Sequence, residues 1–349
     1  MVVSIMPRSV FCACRFCSPC LRRSHHGPCL KKQFLVDEDF EQADPGPALA
    51  AALERPGGQA QAIRLLKGLV DRNLDPLKYI DDEKLSRIVR IGRRFDESVD
   101  LTRPDFGAEG WSTGIADESR LWFAHRVDSK ALALHVVLVH DIAGVDAVRA
   151  AAGYCSAGHF QRHSGDVKAC KVLAQTVDSL LWNQVRAVSD DVVQVDLVNA
   201  LDEPIGAIML MIHPEPEGSV DFPAVSPPPA RSARHSSVGK QCVTFTPLPG
   251  GSLRMHVAAR ICFSEERALS EISQASSESV ARLLRPLLVW PKRFGDFVLE
   301  HRDELAQEEA FSPQAPFYAV CRGYLEGHAG TRRSSLHKWG YMFNGEKIN

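Results

Sequence analysis

Cys155, His159 and His163 carry the most suggestive chemistry of the chain. Spaced by four and four, they would share one face of a helix, where they could ligate a metal or pair a thiolate with an imidazole. Gly153 and Gly158 weaken such a helix, and no fourth ligand is obvious. Surface histidines around an ordinary buried cysteine are therefore the expectation. A second concentration lies at the start, where Cys12, Cys14, Cys17 and Cys20 are followed by His25, His26 and Cys29. These soft ligands could hold zinc, but structural zinc sites usually separate two ligand pairs by a dozen or more residues. The same zone is basic, with no acid before Asp37. Transit-segment and acylated-anchor readings stay open beside the plainer one of a disordered leader. Organelle targeting or acylated anchoring by residues 1–36 is thus an alternative to a cytoplasmic, intracellular location.

No GxSxG, GxxxxGK[ST], HExxH or GxGxxG occurs, so nucleophile-elbow, P-loop, zincin and Rossmann chemistry lack their usual supports. No catalytic residue, metal or cofactor is assigned. Of 349 residues, 41 are basic and 43 acidic, which gives no global drive toward nucleic acid. Apolar residues at 45% and charged residues at 24% are those of a globular chain. No apolar run approaches the ~20 residues of a spanning helix. Trp290-Pro291-Lys292-Arg293-Phe294 mixes rings with cations in a way that suits a water–bilayer interface. Packing of both rings on a sheet is the preferred reading.

The elements follow from periodicity. Residues 37–58 read as a linker and 59–103 as a short helical hairpin, with apolar stripes at Ile63, Leu66, Leu69 and at Leu85, Ile88, Ile91. From about Pro104 the period changes to two. Strands are expected at 121–123, 131–140, 167–177, 179–188, 191–201, 205–213, 241–247 and 253–263, with a helical or loop insertion at 141–165. The run 205–213 is apolar on both parities, as in a strand covered on both sides. Pro249-Gly250-Gly251 marks a hairpin. A helical segment from about Glu265 to Gln307, kinked or broken at Pro286 and Pro291, closes the domain. Residues 310–349 read as a tail.

That order, with DDVVQVDLVNALDEPIGAIMLMIHP at 190–214, the Pro-rich loop and strand pair from Phe222 to Ile261, and the closing helix, resembles the START lipid-transfer domain. Asp190 stands where that family often has Arg. The resemblance covers about residues 104–309. It implies an α+β helix-grip fold of the START/Bet v 1-like kind: a curved antiparallel sheet of about nine strands wrapped around a long C-terminal helix. It also implies a cavity for a lipid or sterol, used for transfer or sensing without catalysis, with transient membrane-surface contact. The expected cavity walls are Val193, Val195 and Leu197, then Met209 and Met211, Val243 and Phe245, Met255 and Val257, and Leu283, Leu287 and Phe294 of the helix. Phe222 and Val225 are expected to form a lid, with Arg231 and Arg234 meeting head groups. The alternatives are a cyclase-type helix-grip enzyme, which needs acid/base groups inside the cavity, and an interaction scaffold with a collapsed cavity.

Overall fold

The computed structural model describes residues 45–102, 104, 106, 110–116, 121–187, 192–214, 222, 236–263, 280 and 284–327. Residues 1–36 with their cysteines, Leu283, and the lid residues Val225, Arg231 and Arg234 lie outside the described residues.

Nine strands form one antiparallel sheet: β1 (Trp111–Ala116), β2 (Leu121–Asp128), β3 (Ala133–Ala143), β4 (Val167–Gln175), β5 (Ser179–Arg186), β6 (Val192–Asp202), β7 (Ala207–Pro214), β8 (Ser236–Leu248) and β9 (Ser252–Phe263). Their order is β1-β2-β3-β9-β8-β7-β6-β5-β4. The chain thus builds one edge, crosses through α4 (Ala147–Cys155) and α5 (Ala157–Ser164), and returns from the other edge to close on β3. Gly250 and Gly251, at φ +82° and +74°, make the β8–β9 turn that only residues without a Cβ adopt freely. β1 was not expected from periodicity.

Register sorts the side chains onto two faces. Cross-strand partners share a side, so Leu138, Val257, Val243, Leu210 and Asn199 line one face, while Val137, Ala258, Cys242, Met211 and Val198 line the other. The first, here the inner face, packs under α4, α5 and α6 (Arg285–Glu300). Two further helices, α7 (Arg302–Phe311) and α8 (Ala315–Gly327), back α4. The outer face is covered by the hairpin of α2 (Gln59–Asp71) and α3 (Asp82–Thr102). α3 buries Ile88, Ile91, Phe95, Ser98 and Thr102, an i, i+3, i+7 stripe. β7 is accordingly buried on both faces, as its double-parity apolar run requires.

Three boundaries differ from the sequence expectation. Residues 45–54 of the supposed linker form α1 (Pro45–Glu54), with Leu49 and Ala52 buried. The hairpin, which falls outside the 104–309 span of the resemblance, forms the outer cover of the domain's sheet. The expected tail from residue 310 instead holds α8, which inserts Phe317, Tyr318 and Cys321 into the inner core, and residues 328–349 lie outside the described residues. Arg322 of α8 holds Glu309 at 2.5 and 2.8 Å and Asp146 at 3.0 Å. Asp146 itself caps α4 by accepting from Val148 and Arg149 N–H. α8 is thereby tied to the start of α4 by charge as well as by packing.

Candidate functional site

The closing helix crosses the inner face at its centre. Pro286 occupies the first turn of α6, where its missing N–H costs nothing. Pro291 sits inside the helix and is buried. Between them and beyond, α6 presents Leu288, Phe294, Phe297 and Val298 to the sheet. Phe294 stacks on Phe245 with centroids 5.8 Å apart and on Trp290 at 5.4 Å. Tyr154 of α4 meets Phe245, Trp290 and Phe294 edge-on at 5.8–6.4 Å. Phe160 of α5 reaches Tyr154 at 5.2 Å and Trp182 at 5.0 Å. One continuous aromatic layer therefore joins helix and sheet.

The expected walls divide between the two faces. Val195, Leu197, Val243, Phe245, Met255, Val257 and Phe294 belong to the inner core, with Val193 and Leu287 packed against it. Met209 and Met211 do not: they pair with Thr244 and Cys242 and lie on the outer face under the hairpin. Their neighbours Ile208, Leu210 and Ile212 take the inner positions. Where both parities are apolar, hydrophobicity alone does not say which one faces the helix. Phe222 is half-buried.

The four-and-four cluster does not assemble. Ser156 turns extended, at φ −85° and ψ 120°, and ends α4 before α5 begins. Cys155 therefore points into the core, His159 faces Phe297 at 5.7 Å, and His163 is enclosed by Tyr154, Phe160, Trp290, Phe294 and Phe297. Among the described residues no group of three or more His, Cys, Asp or Glu could hold a metal ion.

The inner core holds a few polar groups that sequence reading missed. Cys155 Sγ donates to Asn199 Oδ1 at 3.4 Å, and Tyr318 Oη donates to Gln314 Oε1 at 2.9 Å. Cys155 and Tyr318 also lie side by side, so the two pairs form one buried polar cluster between β6 and α8. Its remaining donors, Asn199 Nδ2 and Gln314 Nε2, have no hydrogen-bond partner among the described residues, nor does Trp182 Nε1. Burial pushes the Cys155 thiol up to about 12 and raises the Tyr154 and Tyr318 phenols. Burial drives His163 down to about 3, against the opposing pull of the Gly153 carbonyl. Trp290 Nε1 donates to His163 Nδ1 at 3.2 Å, so the ring proton resides on Nε2. All these groups are uncharged at neutral pH.

A cleft of about 440 Å³ opens to the surface between α5 and α6. Phe297 and His163 form its floor, so the same two rings face the aromatic layer inside. On one side Arg162 binds Glu304 at 2.6 Å and His301 at 3.1 Å, and lies 5.4 Å over the Phe297 ring. On the other side Lys292, Arg293 and Asp296 line the opening.

No helix among the described residues is long and apolar enough to cross a membrane. No protein-family model and no curated protein matches the chain. Solved structures do resemble it. Human STARD10 is 10% identical with a TM-score of 0.47, covering 68% of this chain and 87% of that one. Human StAR-related lipid transfer protein 5 is 9% identical at 0.47, covering 63% and 100%. A STAR-related lipid transfer protein fragment from Xanthomonas axonopodis is 14% identical at 0.38, covering 54% and 98%. The chain is an α+β protein whose nine-stranded antiparallel sheet and helices are similar to these START-domain structures.

Proposed function

We propose that the protein binds a lipid or sterol between the inner face of the sheet and α6, for transfer or sensing and without chemical change. The observation that carries this reading is a trio of buried donors with no partner among the described residues, Trp182 Nε1, Asn199 Nδ2 and Gln314 Nε2, in a mostly apolar core. A buried polar atom without a partner costs about 1–3 kcal/mol and calls for a reason. Apolar walls with a few polar points are the make-up of a small-molecule site. An acceptor oxygen at one end of an apolar molecule satisfies such a donor, and each buried CH₂ adds about 0.8 kcal/mol. The protonated thiol and phenols and the uncharged His163 favour binding over acid–base catalysis. Ligand entry then requires the aromatic layer of Tyr154, Trp290 and Phe294 to part from Phe245.

The collapsed-cavity scaffold has one observation in its favour, the 5.8 Å stacking of Phe245 on Phe294 across the middle of the inner face. Incubating the full chain with neutral vesicles that carry a fluorescent lipid, then isolating the protein, separates the two. The lipid-binding reading expects label to leave with the protein, and Asn199→Leu to reduce it while the melting temperature holds. Protein that emerges without label supports the scaffold instead.

A further inference from the structure

The buried charges are divided unequally between the two faces of the sheet. Arg94, Asp196 and Asp202 are the buried charged side chains among the described residues. All three lie on the outer face under the hairpin, where Arg94 pairs with Asp196, and Arg64 of α2 with Asp202 at 3.3 Å. The inner core holds none of them. Its buried histidines, His125 and His163, are kept neutral by burial. The charges that bear on it from its margins are acidic or already paired. Glu308 acts on Cys155 and Tyr318, and Asp178 on Cys321. Arg55 is paired with Glu203, and Arg186 with Asp166.

The polar atoms left over at the inner face are of one kind. The Cys155 thiol and the Tyr318 phenol donate to the amide oxygens of Asn199 and Gln314, so the groups without a partner are the two amide N–H donors. Trp182 Nε1 can only donate. These residues are 0–1% exposed. The donors also stand in two places. Trp182 pairs with Val195 across β5 and β6. Asn199 lies four residues further along β6, roughly 13 Å at the rise of a strand. Gln314 belongs to the Asn199 end through Cys155 and Tyr318. His125 Nδ1, whose role turns on its tautomer, lies on β2, five strands from β6.

On the reading that the inner face takes a lipid, we propose that this lipid is neutral and that its polar groups are ester or ketone oxygens, in preference to a phospholipid, a fatty acid or a sterol alcohol. A carbonyl oxygen accepts from Trp182 or Asn199 and brings no proton that needs a partner. A hydroxyl brings one into a core whose amide oxygens are engaged. A carboxylate or phosphate brings a charge that meets no cation there and has acids for neighbours. An unpaired buried charge is far more costly than an unpaired dipole. An elongated molecule with carbonyls toward both ends reaches both donor sites, and the apolar walls between them take its body.

Two matched pairs of tritiated probes read this preference. Each probe is titrated into the full chain, and gel filtration removes the unbound label. Methyl oleate and oleate differ by a charge, and cholestanone and cholestanol by a ketone against a hydroxyl. The ester and the ketone are expected to bind at least about tenfold more tightly than their counterparts, the factor that one unpaired buried group implies. Trp182→Phe or Asn199→Leu is expected to weaken them at least about threefold, while Met209→Leu on the outer face leaves them unchanged. Thermal melting checks that each variant is folded. Equal or tighter binding of oleate or cholestanol overturns the proposal and leaves the interior site in place. So does failure of all four probes with a protein that still takes fluorescent lipid from neutral vesicles. Failure of the probes and of that uptake together overturns the interior site, and the proposal with it.

Discussion

Arg94 Nη1 and Asp196 Oδ2 lie 2.9 Å apart beneath α3, with side chains 6% and 0% exposed. This pair joins the hairpin to β6 across the outer face, and His213 of the neighbouring strand stands opposite Asp196. A buried charge stripped of its partner costs about 3–5 kcal/mol, whereas exchanging both for apolar groups costs far less. Arg94→Leu is therefore expected to lower the unfolding free energy by that amount, and Arg94→Leu with Asp196→Leu to restore much of it. Urea titration of the two variants checks this. Equal losses in both would mean that the pair contributes by more than mutual neutralisation.

Acid is expected to destabilise the fold through two histidines. Burial lowers His163 and His213 to about 3 from 6.5, with Arg94 and Lys240 adding to the effect on His213. The unfolded chain takes up protons below pH 6.5 that the folded chain refuses until about pH 3. Stability is full above the upper limit and falls with pH through that window. At pH 5 each histidine contributes a loss of roughly 2 kcal/mol. Urea midpoints at pH 7 and pH 5 measure it, and His213→Leu should flatten the dependence. An unchanged slope in that variant would assign the acid sensitivity elsewhere.

The α8 helix is expected to be indispensable to the domain. Phe317 is fully buried, and a buried Phe→Ala substitution costs about 3–5 kcal/mol. Phe317→Ala should lower the melting temperature markedly. A chain ending at residue 312 should melt far below one ending at 327. Equal melting of those two chains would contradict the place given to α8.

Much of this fold can be read from alternation. β9 shows it most clearly: Met255 and Val257 face α6, as their parity requires, and Arg254 pairs outward with Asp141. α8 escaped the same reading because Pro316, Gly323 and Gly327 punctuate a helix whose buried residues, 317, 318, 321 and 325, are few. The insertion defeated helical spacing at one residue, Ser156, whose extended backbone points Cys155 and His159 to different surroundings. The polar cluster of Asn199, Cys155, Tyr318 and Gln314 left no signal, since its members are up to 163 residues from one another in sequence and meet only through the packing of α8 on α4.

The two faces of β7 and β9 give a direct handle on where a ligand resides. Val257 faces α6 and Met211 faces the hairpin, and both are buried. Val257→Trp is expected to fill the inner space and abolish uptake of a fluorescent lipid. Met211→Leu, close to volume-conserving, should leave uptake unchanged at a cost under about 1.5 kcal/mol. Uptake lost in the outer-face variant and kept in the inner-face one would reverse the assignment.

Native mass spectrometry of the full chain purified from cells tests the central claim most directly. The inner-face account predicts a species heavier than the polypeptide by the mass of one lipid or sterol, released on denaturation and missing from Val257→Trp. A folded chain that carries no such mass, and gains none after incubation with a cellular lipid extract, would contradict it.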